Sequence, residues 1–305
     1  MEERKLNSSH SKLSEGDNAA LARPVKSTKT SRALTIAATW IALHTKHSIG
    51  FTGVRISPGL MVKRGTGVKL EEADNLEYVR NNSSVPVPKV HCAFTRRGCR
   101  YIVMDYIHGQ TLWSWWHTAS AESKKRVRRQ LAGHMSNLQS VPNPTPGRVG
   151  GLKGGPIYDY RYTSGKGASP YTEESFGPFH DAHEFHLWLR NGFTSPVSSE
   201  VGEKSNQDAG IDRMCQMQDR RNYATTLTHG DFSSQNIIIR DDKVAGIIDW
   251  EMAGWYPDYW EYTSAWHVNA YDDFWRPEVE EILDGHKYTA EFEADNIRRR
   301  YFQAP

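Results

Sequence analysis

The sequence predicts an α+β fold of two unequal lobes, a small one built on an antiparallel sheet and a larger helical one. Three observations lead there. Short apolar runs punctuated by Gly and Pro crowd the chain before residue 107. Stretches with helical periodicity dominate after Thr111. A further pair of short apolar runs, Ile237–Ile239 and Val244–Ile248, interrupts the helical part and is bracketed by Asp and Asn.

Residues 1–31 are rich in Ser, Lys, Asn and Glu without apolar period, which predicts a disordered tail. Ala33–Lys46 reads as a helix. Val54–Ile56, the turn Ser57-Pro58-Gly59 and Leu60–Lys63 read as a hairpin. Leu70–Arg80 is a second helix, stopped by Asn81-Asn82-Ser83-Ser84 and the pair Pro86/Pro88. His91–Phe94 and Tyr101–Tyr106 form another strand pair, and His108-Gly109 begins a crossover. The first lobe is therefore expected over 32–108 and the second over 109–305. In the second, Ala121–Gln139, His180–Asn191 and Pro257–Asn269 are the expected helices. The Gly/Pro/Ser-rich stretch Pro142–Pro178 and the polar stretch Thr194–Tyr223 lie between them.

A formal net charge of +2 provides no global drive toward nucleic acid. The one dense basic run, Lys124–Arg129, falls on an amphipathic helix with Leu131, Met135 and Leu138, so it reads as a solvated face. Three cysteines, Cys92, Cys99 and Cys215, lack metal-ligand spacing and suit a reducing compartment. The apolar run Ala33–His44 is too short to span a bilayer, and the opening residues carry no signal peptide. The expectation is a cytoplasmic protein with neither nucleic-acid nor membrane partner.

The chemistry concentrates after Leu227. Asp231 and Asn236 stand just before the first strand of a hairpin, and Asp249 just after the second. Folding the hairpin brings its ends together, so the three should converge at one edge. Such a set suits phosphoryl transfer, which needs divalent cations on phosphate oxygens and a carboxylate to orient the attacking hydroxyl. Mg²⁺ prefers hard oxygen ligands, which Asp249 and the amide oxygen of Asn236 would supply.

The stretch HGDFSSQN followed by IIDWE resembles the catalytic and metal loops of the aminoglycoside phosphotransferase and choline kinase superfamily, relatives of protein kinases. His-Gly-Asp stands where kinases have His-Arg-Asp, and Asp-Trp-Glu where they have Asp-Phe-Gly. The extension AGWYPDYWEY is similar to the fungal-type branch. The resemblance covers about residues 53 to 290 and implies a bilobal protein-kinase-like fold, with a nucleotide-binding N-terminal lobe and a catalytic and substrate-binding C-terminal lobe. It implies Asp231 as catalytic base, His229 as the residue bracing its loop, and Asn236 and Asp249 as metal ligands. Lys63 at a strand end matches the phosphate-binding lysine. Its expected partner is Glu72, which shares a helix face with Leu76 and Val79, while Glu71 and Lys69 are the competitors. Tyr101–Ile107 resembles the hinge, where adenine would meet backbone near Asp105 and Ile107. No Gly-x-Gly-x-x-Gly precedes Lys63, so the loop covering the phosphates is unassigned.

These features imply an enzyme using ATP and Mg²⁺ on a small-molecule hydroxyl acceptor. The alternative is a pseudokinase that binds nucleotide or a partner without transfer. Asp258, Glu261, Asp272 and Asp273 are expected on solvated helix faces rather than facing a cationic acceptor. Trp255, Tyr256, Tyr259 and Trp260 either line an apolar pocket or pack the helical lobe.

Overall fold

A computed structural model describes residues 27–45, 48–49, 52–162, 175–196, 206–268 and 273–302. The first helix, α1, runs Lys29–His44, four residues earlier than expected. Its start is set by a capping box in which Thr28 and Ser31 each accept the other's backbone N–H. The expected tail lies outside the described residues up to residue 26.

Five strands follow in one antiparallel sheet: β1 (Ser48–Ile49), β2 (Gly53–Ser57), β3 (Leu60–Gly65), β4 (Val90–Arg96) and β5 (Cys99–Asp105), ordered β1-β2-β3-β5-β4. The helix α2 (Glu71–Asn82) lies between β3 and β4 in sequence. Alternation along the strands separates two faces. Val62, Cys92, Phe94, Tyr101 and Val103 form an outer cluster that includes Ile36 of α1. Ala93, Ile102 and Met104 face inward with Leu76 and Val79 of α2, and that cluster continues into the second lobe.

At the crossover Gly109 lies so close to β9 (Ile237–Arg240) that a Cβ there would collide with the carbonyl oxygen of Ile239. β6 (Gln110–Thr111) pairs with β9, and β9 pairs with β10 (Lys243–Ile247), making the expected catalytic hairpin part of a three-stranded sheet. The helices are α3 (Leu112–Trp116), α4 (Ala121–Gln139), α5 (Ala182–Leu189), α6 (Asn206–Gln218), α7 (Trp260–His267), α8 (Trp275–Ile282) and α9 (Thr289–Phe302). Ser120 caps α4 at the boundary its sequence predicts. The basic run on α4 points outward as expected, with Arg126 paired to Asp242 and Arg128 to Glu278.

Two expectations need correction. The polar stretch 194–223 contains α6, whose Ile211, Met214 and Cys215 are buried against Ala294 of α9. Its apolar residues do recur at helical spacing, but charged and amide residues dilute them. Residues Gly254–Pro257 are a strand, β11, between β7 (Gly150–Gly151) and β8 (Thr225–Thr228), so the helix expected from Pro257 begins only at Trp260.

Candidate functional site

The register of β9 on β10 pairs Ile237 with Ile247, and the ladder ends with the Ile248 N–H donating to the Asn236 carbonyl at 2.9 Å. This juxtaposition brings the 229–236 loop beside the 249–252 turn. Gly230, at φ +84°, meets that turn so closely that a Cβ would lie 2.7 Å from the Met252 carbonyl oxygen. Asn236 donates both to the Asp231 carbonyl and to the Asp231 carboxylate, each at 2.9 Å. Asp249 adopts φ +67°, a left-handed conformation that Asp tolerates better than most residues.

His229 is fully buried and both ring nitrogens serve backbone. Nδ1 accepts from the Asp231 N–H at 3.1 Å, and Nε2 donates to the Ile248 carbonyl at 3.0 Å. That pattern requires the neutral imidazole, and burial lowers its pKa to about 4. The backbone N–H groups of His229 and Gly230 donate to the carboxylate of Glu261, at 2.6 and 3.2 Å. Glu261 is 1% exposed, so the expectation of a solvated helix face is wrong for it. The helix α7 turns it inward, where the two N–H groups replace water. Burial still pushes its carboxyl up to about 7, against those two bonds.

The second cluster joins the lobes. Lys63 Nζ lies 2.7 Å from Glu72, 2.7 Å from Asp249 and 3.4 Å from Glu251. Glu71 is exposed, and Lys69 stacks instead on the Tyr158 ring at 4.0 Å. Burial works against the Lys63 ammonium, yet the three carboxylates hold its pKa well above the usual lysine value. Burial also raises Glu72 and Glu251, while Lys63 pulls both down. Between Asp249 and Glu251, Trp250 is wholly buried 4.4 Å from the His229 ring, centroid to centroid, and its carbonyl accepts from Asn75 of α2 at 2.8 Å. Side chains of α2 and β3 thus grip the 249–251 turn.

Sequence reasoning missed Arg161. Its guanidinium donates to both carboxylate oxygens of the fully buried Asp159, at 2.8 and 2.5 Å, and to the Gly230 carbonyl at 2.6 Å. Burial pushes the Asp231 carboxyl up to about 6, with Arg161 opposing that rise. Tyr160, 42% exposed, feels the Asp231 charge as well. These residues sit in the Gly/Pro/Ser-rich stretch, where nothing local distinguishes them. Glu251 was visible in the Asp-Trp-Glu motif but received no task.

At the lobe junction Asp105 is tied down by its neighbours. Its N–H donates to the Lys89 carbonyl at 3.0 Å, and its carboxylate accepts from His91 at 2.7 Å. Ile107 packs over Gly246 of β10, where a Cβ would come within 3.1 Å of the Ile107 side chain. Further along, Asp258 pairs with Arg221 at 2.9 Å and Asp273 is exposed, while Asp272 lies outside the described residues. Trp255, Tyr256, Tyr259 and Trp260 are all buried; Trp260 packs against Tyr256 and Tyr259 within the helical lobe, while Trp255 meets the Tyr78 ring of α2 edge-on at 6.2 Å.

The oxygens of Glu72, Asp249 and Glu251 lie within 4.8 Å of one another. Asn236 spends its amide nitrogen on Asp231, leaving the amide oxygen for a cation. Lys63 already lies against those three carboxylates. The hard oxygen donors that would suit a divalent ion such as Mg²⁺ are therefore the second carboxylate oxygen of Asp249, which is 37% exposed, and the amide oxygen of Asn236.

Comparison with known proteins bears on the family and the fold. The profile of the phosphotransferase enzyme family matches residues 60–295. Aminoglycoside phosphotransferase APH(4)-Ia is structurally similar in several states. A thermostable mutant in ternary complex with ADP and hygromycin B superposes with TM-score 0.53 at 14% identity, covering 82% of this chain and 81% of that one. Another, with AMP-PNP and hygromycin B, gives 0.51 at 14% identity, covering 81% and 78%. APH(4)-Ia itself gives 0.51 at 14% identity, covering 87% and 99%. At such identity the likeness establishes the fold: an antiparallel-sheet lobe and a helical lobe arranged as in aminoglycoside phosphotransferases. No curated protein matches the chain in sequence.

Proposed function

This chain belongs to the phosphotransferase enzyme family, and on that premise we propose that it is an ATP- and Mg²⁺-dependent kinase acting on a hydroxyl group of a small molecule. The observation that carries this reading is the junction of Lys63, Glu72, Asp249 and Glu251 beside the Asp231–Asn236 loop. One cation and hard oxygens at the lobe boundary suit a polyphosphate, and a separate carboxylate suits an alcohol.

In this reading Lys63 holds the phosphates while Glu72 fixes its position. The backbone of Asp105 and Ile107 receives the adenine. Asp249 and Asn236 would hold Mg²⁺, which when bound neutralises phosphate oxygens. Asp231 orients the acceptor hydroxyl and takes its proton as the new O–P bond forms and the bond to the ADP oxygen breaks. Its pKa of about 6 leaves it mostly ionised at neutral pH yet basic enough to accept a proton. His229 acts by holding the loop, because both its nitrogens are bound to backbone. The Ala253–Tyr262 segment supports placement in the fungal-type branch, and three free cysteines suit the cytoplasm.

The test is a nucleotide-consumption screen over amines, amino alcohols, sugars and antibiotics, with mass detection of an added phosphate. Transfer to a hydroxyl of any one acceptor supports the reading. Metal-independent nucleotide binding with no turnover across the panel overturns it.

A further inference from the structure

Helix α1 has its polar side inward. Thr35, Thr39 and Ala42 are buried against the outer sheet face, with the threonine hydroxyls bonded to the Ser31 and Thr35 carbonyls at 2.8 and 2.6 Å. Leu34, Trp40 and Ile41 face outward, 66%, 63% and 56% exposed. Four of the seven exposed large hydrophobics among the described residues, these three and Leu43, lie on this one helix. No charged residue interrupts it from Ala33 to Leu43. An apolar stripe of this kind, concentrated rather than scattered, marks an interaction surface.

The lobe that carries it is basic. The described residues between 27 and 104 include eleven Lys and Arg against four Asp and Glu, although the whole chain is only +2. The four acidic residues, Glu71, Glu72, Asp74 and Glu77, all lie on α2. Strand alternation puts Arg64 and Arg96 on the same outer face as Val62 and Phe94, which α1 covers. Arg32 of α1 stands 5.6 Å over the Phe94 ring, and Arg97 is exposed at the turn of the β4–β5 hairpin.

We propose that α1 and its surrounding arginines dock this protein onto the surface of an anionic phospholipid bilayer. An uncharged stripe carrying Trp, Leu and Ile, with Lys and Arg nearby, is the pattern that lies in a lipid interface. A second copy of the chain fits less well, because pairing through α1 would oppose two lobes of the same positive sign. The expectation of no membrane partner rests on the shortness of the apolar run. That shortness excludes spanning by this run, and no helix among the described residues is long and apolar enough to cross a bilayer. Surface docking needs no such length. It would also leave the site clear, since Lys63 alternates with Val62 to the opposite side of the sheet.

The experiment is co-sedimentation of the full chain with phosphatidylcholine vesicles containing 30% phosphatidylserine (about the level that makes a bilayer strongly anionic), beside pure phosphatidylcholine vesicles. Trp40→Ser/Ile41→Ser and Arg96→Glu/Arg97→Glu are run in parallel, with thermal midpoint and nucleotide binding checked for each. The wild type is expected to partition onto the anionic vesicles at least about tenfold more than onto neutral ones, and less as salt rises. Each double variant should lose about tenfold or more of that partitioning while keeping its fold and nucleotide binding. Equal sedimentation of wild type and Trp40→Ser/Ile41→Ser, or no preference for the anionic vesicles, would overturn the proposal. So would a lipid-free dimer in light scattering that the same variant dissolves.

Discussion

Asp231 and Asp249 lie eighteen positions apart in sequence, yet they are held by opposite kinds of structure. The surroundings of Asp231 all belong to the helical lobe: His229, Asn236, Glu261 and Arg161, linked to its loop by short hydrogen bonds and largely hidden from water. Asp249 is 37% exposed and balanced by charge, with Lys63 and Glu72 reaching it from the other lobe. The first region is held by hydrogen bonds within one lobe, whereas the second depends on how the lobes meet. The difference teaches that the carboxylate proposed to activate the hydroxyl and the one proposed to handle the phosphates can be perturbed separately.

The largest effect expected from that separation is on turnover. Asp231→Asn should cut kcat by roughly 10²–10⁴ on any acceptor found, while calorimetry shows Mg²⁺-nucleotide binding nearly unchanged. Near-normal turnover would reduce Asp231 to a structural residue and dissolve the comparison.

Next comes the cost of keeping His229 neutral. Its pKa falls from 6.5 to about 4 on folding, so between those values the unfolded chain takes up a proton that the folded protein refuses. This contribution is present above pH 6.5 and lost as pH falls toward 4, to a limit of roughly 3 kcal/mol. Asp231 and Glu261, whose carboxyls are raised, push the other way in both proteins. Urea unfolding at pH 7 and pH 4.5 should therefore show a steeper acid loss for wild type than for His229→Asn. Parallel losses would mean that His229 is charged in the folded protein.

A smaller effect is expected on the other side. Asp249→Asn, which replaces a charged oxygen ligand by a neutral amide, should weaken Mg²⁺-nucleotide binding by at least roughly 10–100-fold, the scale on which metal sites lose affinity when even a partner of a ligand goes. Titrations with and without Mg²⁺ measure it. If binding held while turnover collapsed, the two aspartates would have exchanged roles.

The smallest expected change tests the contact between lobes. Lys153, 42% exposed, reaches Asp74 of α2 at 2.7 Å. Lys153→Ala should cost less than about 1 kcal/mol in thermal or urea unfolding, as surface pairs do. A loss of several kcal/mol would show that the lobe junction is as firmly built as the Asp231 loop.

What could be read in advance follows the same division. The pairing of Lys63 with Glu72 and the convergence of Asp231, Asn236 and Asp249 were legible because strand ends and helix faces are local properties. A two-residue strand period and a 3.6-residue helix period already say which residues share an edge or a face. Helix α4 was legible to the residue, since Ser120 and the spacing of Val127, Leu131, Met135 and Leu138 need nothing from elsewhere. The strand Gly254–Pro257 was not, because its identity comes from pairing with Thr225–Thr228 across an intervening stretch of chain.

By itself the sequence determined the succession of a strand-rich part and a helical part, the hairpin that draws Asp231, Asn236 and Asp249 together, and the distribution of charge along the chain. Only the tertiary structure decided that Glu261 turns inward beneath His229 and Gly230, that Arg161 comes from a glycine-rich stretch to the same loop, and that Thr35 and Thr39 rather than Leu34 and Trp40 are buried. The reason is physical. Periodicity identifies which residues lie on one face of an element, but which face is covered depends on the desolvation and hydrogen bonding available from distant parts of the chain.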